Sequence, residues 1–352
     1  MYYGIYLPVF LSYLAIATLG LLNLFVLDKN LFFYQLAFFL ISLTLYFTCS
    51  FFSYKWYKKL SFLVYIVNIV LLLLVFVLGE ITRGSTRWIS LGIINIQPSE
   101  FIKIAIILAL SSILSSKTSK YIDIKSVILS LLILVPAFLL VFLQPDLGTS
   151  LVLVAVFLVL IFYSGVKLSY VLILILLFAI SSAPIWFNLK EYQKDRVISF
   201  VNPSLDPLGT GYNALQSQIA IGSGRFTGKG LGGGTQSRLG FLPENNTDFV
   251  FASYSEEWGT VGSILLVTLY FITLYYLLIL FSQVKSYFSK YVILGVMIVF
   301  WVHIFINIGM NIGLLPVTGI PLPFFSYGGS SFLALSIMLG IVNSVAKDKQ
   351  LI

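Results

Sequence analysis

The chain is 352 residues long, 59% hydrophobic and only 10% charged, with a mean hydropathy of +1.01, which excludes a soluble globular surface and a disordered chain. Its formal charge of +8 sits largely on lysines in short connections and is a topology signal, not a nucleic-acid footprint. A single cysteine, Cys49, excludes an internal disulfide or a multi-thiolate metal site.

Charge-free runs set the predicted elements. Residues 1–27, 30–54 and 60–79 contain no Asp, Glu, Lys or Arg and reach the ~20 residues that cross a hydrocarbon core. They are the first three helices, and the first is too long, and lacks the basic leader, for a cleavable signal peptide. The semi-apolar stretch GSTRWISLGIINIQPSE (84–100) follows and is expected to dip back toward the membrane. Within it, Arg87 beside Trp88 suits a phosphate or sugar, and equally an interfacial aromatic anchor. Pro98 and Ser99 start a fourth helix, 99–116, with Glu100 in the first turn, where the helix dipole favours an anion. Lys103 lies three residues on, so the two share a face; the pair either neutralises itself or holds substrate. The fifth and sixth helices, 126–145 and 147–166, enclose FLQPDLGTS (142–150), whose Asp146 is a helix N-cap or a substrate contact. The run 168–189 is the seventh.

A long connection, 188–250, comes next. YNALQSQIAI is expected to form a short helix along the interface. Gly228, Gly230 and Gly233 satisfy the spacing G-x-G-x-x-G, but no strand precedes them and no βαβ unit surrounds them, so a dinucleotide site is rejected. A P-loop also fails, because Gly230 follows Lys229 where Ser or Thr is needed. What remains is a glycine-rich loop with Arg225, Lys229 and Arg238, either a linker or a cradle for an anion such as a diphosphate. Four carboxylates, Glu244, Asp248, Glu256 and Glu257, then gather at the brink of the eighth apolar run, 258–284. Asp248 lies where a polar loop meets the apolar Phe249, Val250 and Phe251. It fits a helix N-cap, and it fits a general base tuned by partial desolvation.

The last run, 291–346, holds two helices, because Gly313, Pro316, Gly319, Pro321, Pro323, Gly328 and Gly329 break its middle. The fold class is therefore an all-α integral membrane protein of about ten helices, a single polytopic domain over 1–352 with the 188–250 loop inside it. His303, alone on an apolar helix, reads as a packed or hydrogen-bonded residue. The aromatic run LYFITLYYLLILF (269–281) is either a docking face or ordinary lipid contact.

Lysine and arginine fix the orientation. With the N-terminus inside, the inner connections hold Lys55, Lys58, Lys59, Lys117, Lys120, Lys125, Lys167, Lys285, Lys290, Lys347 and Lys349; the short outer ones hold only Lys29, Arg83 and Arg87. Both termini are then cytoplasmic, and the ionisable residues that stand out from the apolar background face outward. Ionisable groups at membrane depth are functional candidates by default.

In chain order, GSTRWISLG, QPSEFIKI, QPDLGTS, DPLGTGYNALQSQIAIGSG, GTQS, FLPENNTDFVFA and YGGSS cover nearly the whole sequence. Together they resemble the shape, elongation, division and sporulation family of bacterial glycosyltransferases, more its RodA branch than its FtsW branch. The resemblance implies polymerisation of lipid II into peptidoglycan strands outside the cytoplasmic membrane during cell elongation, with release of undecaprenyl pyrophosphate. It also implies a class B penicillin-binding protein as partner and no nucleic acid. The family's catalytic aspartate falls on Asp248, its central-cavity pair on Glu100 and Lys103, and further motif positions on Trp88, Gln216 and Ser217. One departure is Asn246, where the family usually has His. A divalent cation, Mg or Mn, bridging Asp248 and the diphosphate is compatible with the resemblance and not fixed by it. A lipid-linked precursor flippase and an FtsW-type division polymerase are the alternatives.

Overall fold

The computed structural model describes residues 6–82, 85–90, 92, 95–116, 123–166, 169–170, 172, 176, 187, 191–201 and 210–347. In chain order these form α1 (Leu7–Leu27), α2 (Lys29–Phe51), α3 (Tyr54–Leu78), strands β1 (Glu80–Thr82), β2 (Ser85–Ser90) and β3 (Asn95–Ile96), then α4 (Pro98–Ser115), α5 (Ile124–Leu143) and α6 (Leu147–Tyr163). After them come α7 (Glu191–Val201), α8 (Thr210–Gly224), α9 (Thr235–Arg238), α10 (Val250–Gln283), α11 (Tyr287–Asn311) and α12 (Gly329–Ala346).

Among the described residues, α1 to α5 and α10 to α12 are long and apolar enough to cross a membrane, and α6 is a shorter apolar helix. The predicted seventh span, 168–189, and Arg83 lie largely or wholly outside the described residues. The stretch after α3 folds as a small antiparallel sheet of order β1-β2-β3, with Glu80 opposite Trp88 and Ile89 opposite Ile96. One predicted boundary moves: the eighth apolar helix begins at Val250, eight residues before its charge-free run. Glu256 and Glu257 are accommodated inside it because their carboxylates find partners within the fold.

The chain divides into two compact units. One comprises 48–194, 280–299 and 338–352. Its buried centre is α4, which packs against α3, α5 and α6. Close approach is built in at Gly295, where a Cβ would stand 2.8 Å from Ile107 Cγ2. On α3, by contrast, Leu63, Ile66, Val70, Leu73 and Val77 are exposed, the signature of a lipid-facing stripe.

The other unit comprises 1–47, 195–279 and 300–337. Tyr13 of α1 is fully buried, its ring 4.4 Å from that of Phe324. The predicted break between α11 and α12 is real: Gly313 (φ 78), Gly319 (φ 79) and Phe324 (φ 60) all turn left-handed. Irregular backbone is tolerated at such a place only when its polar groups are satisfied within the protein. Here Leu322 N–H donates to Ser326 Oγ (2.8 Å), Tyr270 Oη to Pro323 O (2.7 Å) and Asn307 Nδ2 to Ile320 O (2.9 Å). His303, 1% exposed, sits with Nδ1 3.1 Å from Pro321 O, the packed and hydrogen-bonded environment expected of it.

Gly20 lets α1 reach this segment. A Cβ there would lie 2.8 Å from Phe325 O and 2.9 Å from Phe325 Cα, both backbone atoms that cannot rotate away. Gly20→Ala is expected to destabilise the protein by about 1–3 kcal/mol through overpacking, read as a lower thermal midpoint of the purified chain. An unchanged midpoint would show that the segment yields freely.

Candidate active site

Asp248 lies two residues before α10, in a turn closed by Phe249 N–H and Thr247 N–H donating to Glu244 O at 3.1 and 3.2 Å. Glu244 itself is left-handed, with φ 51. Phe249 is 1% exposed and packs with Ala220, Leu242 and Ala252, which anchors the turn from its apolar side. From the other side the turn is tied to the broken segment: Ser326 Oγ donates to Thr247 O and Tyr327 N–H to Asn246 O, both at 2.8 Å.

The Asp248 carbonyl accepts two side-chain amides, Asn307 Nδ2 at 3.1 Å and Asn311 Nδ2 at 3.0 Å. These asparagines stand one turn apart on α11 and are fully buried. Asn311 Oδ1 in turn accepts Ala252 N–H at 3.0 Å, and Asn311 O accepts Ser217 Oγ at 2.8 Å. The Asp248 carbonyl is therefore held by α11, whose Asn311 is itself tied to α8 and α10, while the Asp248 side chain is half-buried. Its Oδ2 lies 3.6 Å from where a Cβ would stand on Gly319, and Arg196 Nη1 lies 3.9 Å from the same point. Arg196 Nη1 donates to Thr318 O at 3.2 Å.

The glycine-rich loop is organised by Glu256, whose side chain is 0% exposed. Its Oε1 accepts Lys229 Nζ (2.7 Å) and Gln236 N–H (2.9 Å), and its Oε2 accepts Ser237 N–H (3.0 Å) and Ser237 Oγ (2.7 Å). Glu257, also buried, accepts Gly232 N–H at 3.2 Å. Helix α10 breaks at Gly259 (φ 66, ψ −162), and the loop satisfies the freed groups. Lys229 and Gly230 N–H donate to Glu256 O and Glu257 O, while Thr260 and Val261 N–H donate to Arg225 O and Phe226 O, at 3.0 to 3.2 Å. A Cβ on Gly228 would collide with Glu257 O, so this crossing requires glycine at a position with φ +80. Arg238 Nη1 donates to Gly232 O at 2.8 Å, and Arg225 is exposed.

Apart from Gln216 and Ser217, the remaining expected residues belong to the other unit. Glu100 and Lys103 form a buried ion pair, Nζ to Oε2 2.8 Å, at 4% and 1% exposure. Asp146 caps α6 by accepting Thr149 N–H (3.1 Å), and its Oδ2 accepts Ser99 Oγ (3.0 Å) and Gln97 Nε2 (3.2 Å). Arg87 donates through Nε to Gln144 O at 2.9 Å and through Nη2 to Pro145 O. Trp88 is half-buried on β2. Gln216 is half-buried and Ser217 buried on α8, in the unit of Asp248.

Arg196, Asn307, Asn311 and Gly319 stand outside the residues expected from the sequence. Two amides one turn apart in the apolar second half of α11 are the signal that points to Asn307 and Asn311. Among the described residues no group of three or more His, Cys, Asp or Glu side chains converges.

Residues 3–351 match the family model described as FtsW/RodA/SpoVE cell cycle protein. The chain is 38% identical over 289 residues to the peptidoglycan glycosyltransferase MrdB of Escherichia coli (strain K12), covering 82% of this chain and 78% of that one. Its fold superposes on a chain of a peptidoglycan synthase complex that coordinates polymerization and crosslinking, with a TM-score of 0.85, 31% identity and 99% of each chain covered. It also superposes on the rod shape determining protein RodA of Thermus thermophilus, with a TM-score of 0.75, 27% identity and 98% of each chain covered.

Proposed function

This chain belongs to the FtsW/RodA/SpoVE family and is a peptidoglycan glycosyltransferase of the RodA type, and on that premise we propose how it works. The donor is lipid II, presented from the outer leaflet of the bacterial cytoplasmic membrane. Its disaccharide is transferred to the hydroxyl of an acceptor sugar. A new bond forms between the acceptor oxygen and the anomeric carbon, the bond to the diphosphate breaks with its electron pair, and undecaprenyl pyrophosphate departs. The acceptor proton passes to the Asp248 carboxylate, which acts as general base in an inverting displacement.

The observation that carries this assignment is the Asp248 backbone clamped by Asn307 and Asn311, which sets its half-buried side chain with Oδ2 3.6 Å from where a Cβ would stand on Gly319. A base must be placed to within a fraction of an ångström, and that is what a clamped backbone supplies. Gln216 and Ser217, in the unit of Asp248, are assigned to supporting its surroundings, and the buried Glu100 and Lys103 pair, Asp146, Arg87 and Trp88 to ordering the outer end of α4 and α6 within their own unit; Asp146 and Ser217 act through the backbone they fix. Arg225, Lys229 and Arg238 belong to a loop whose order depends on Glu256. Lysine-rich inner connections support cytoplasmic termini and an outward-facing site, and a class B penicillin-binding protein is the partner that would crosslink the strands.

The test is polymerisation of fluorescent lipid II by the purified chain in nanodiscs, alone and with that partner. A glycan ladder from reactions containing this chain is expected. Translocation of lipid II across vesicles without any ladder would favour a flippase, and a ladder from the partner alone would reduce this chain to a scaffold.

A further inference from the structure

One side of α10 is a stripe of exposed residues at helical spacing, Val261, Ile264, Val267, Phe271, Tyr275 and Leu278. From Val261 to Leu278 it climbs about 25 Å at roughly 1.5 Å per residue, close to the ~30 Å of a hydrocarbon core, so Val261 stands near the edge of that core. Near the C-terminal end of α1, Leu22 and Phe25 are exposed in the same way.

The glycine-rich loop is fastened to both helix ends. Thr260 and Val261 N–H donate to Arg225 O (3.0 Å) and Phe226 O (3.2 Å), which puts Phe226 level with the top of the α10 stripe. Gly232, left-handed at φ +74, lies against α1: a Cβ there would stand 3.6 Å from Val26 Cγ1, one residue past Phe25. Beside these two contacts the loop turns apolar side chains away from the protein, Phe226 at 68% and Leu231 at 63% exposure. Basic groups flank them. Arg225 is exposed, with no side-chain hydrogen bond or ion pair among the described residues, and Lys29 Nζ stands 5.7 Å from the Phe25 ring. Long cationic side chains at such a boundary lay their stems on apolar surface and carry the charge to the headgroups.

We propose that this loop is seated in the membrane: Phe226 and Leu231 enter the acyl chains of the adjoining phospholipid leaflet, the outer one in the orientation given above, and Arg225 and Lys29 meet the lipid phosphates. The occupant is bulk phospholipid on two grounds. The two apolar residues continue the exposed faces of α10 and α1, which lipid covers, and the flanking charge is positive at the depth where phosphates lie. The loop is then a collar that grips the leaflet, and its glycines let it lie close against the helix ends. This seating is independent of the reaction assigned above and would hold equally for a flippase.

The test places a nitroxide label at Phe226→Cys and, separately, at Leu231→Cys, in a full chain carrying Cys49→Ser. The chain is held in nanodiscs of phosphatidylglycerol and phosphatidylethanolamine with no polyprenyl lipid, so that the acyl chains can only be phospholipid. Relaxation of the label by oxygen, which concentrates in acyl chains, is compared with relaxation by a water-soluble nickel chelate, and Phe271→Cys in the α10 stripe is the acyl-chain reference. All three positions are exposed, so the labels should leave the fold intact, which an unchanged thermal midpoint checks. Both loop labels are expected to favour oxygen over nickel, as the reference does, and Arg225→Glu should shift the Phe226→Cys label toward nickel. A label that favours nickel at either loop position would overturn the proposal and put the loop in water. Exclusion of both reagents would overturn it in favour of a protein partner or a second copy of this chain, and an unmoved label in Arg225→Glu would overturn the part given to Arg225.

Discussion

Glu256→Ala is expected to destabilise the purified chain by about 3–5 kcal/mol, the range for removing one partner from a buried charged network. The carboxylate is fully buried and accepts from Lys229 Nζ, two backbone N–H groups and the Ser237 hydroxyl. Alanine would strand those donors, and each buried donor without an acceptor costs ~1–3 kcal/mol. Glu256→Gln should cost less, because one oxygen remains, though its amide NH₂ would face a donor. Lys229→Ala should cost least, ~1 kcal/mol, since its side chain is 28% exposed and solvent screens its charge. The ranking Ala, Gln, then Lys229→Ala is checked by thermal denaturation in nanodiscs, and a wild-type midpoint for Glu256→Ala would mean that the loop does not depend on this carboxylate. Polymerisation should fall in the same order, as the loop from Arg225 to Ser237 loses its anchor.

This network also explains why acidic residues crowd the start of an apolar helix. Glu256 does not face water or substrate; it closes a helix break at Gly259 by recruiting the glycine-rich loop. The sequence showed the glycines, the basic residues and the carboxylates as neighbours but not their pairing, because a loop of this composition fits a linker, an anion cradle or a carboxylate clamp equally well. The membrane helices were legible because continuous apolar length is a one-dimensional property, and the break after α11 because proline and glycine act locally. The boundary at Val250 was not, since a charge count ends a helix wherever carboxylates appear and cannot know that they are satisfied inside.

Asp248 was legible through its motif, and its surroundings only in part. Thr247 and Phe249 could be read as polar and apolar flanks. The asparagine clamp joins Asp248 to residues about sixty positions away, and Arg196 meets it across Thr318 and Gly319, pairings that only the folded chain makes. Asn246 illustrates a different limit: its carbonyl accepts Tyr327 N–H at 2.8 Å, a main-chain role that its side-chain identity does not reveal.

Asp248→Asn is expected to lower the polymerisation rate by ~10²–10⁴-fold, the usual contribution of a positioned general base. Asparagine has the same shape, and the clamp holds the main-chain carbonyl, so the turn and its bonds to Asn307 and Asn311 should survive. The loss should therefore appear in kcat with little change in lipid II binding, the pattern of an interaction realised only in the transition state. The most direct measurement takes Asp248→Asn in nanodiscs and records, on one sample, how much lipid II is bound and how much glycan forms. Bound lipid II at wild-type affinity with no glycan is the predicted result. Glycan formed at the wild-type rate would contradict it, and the reaction would then need another acceptor for the proton.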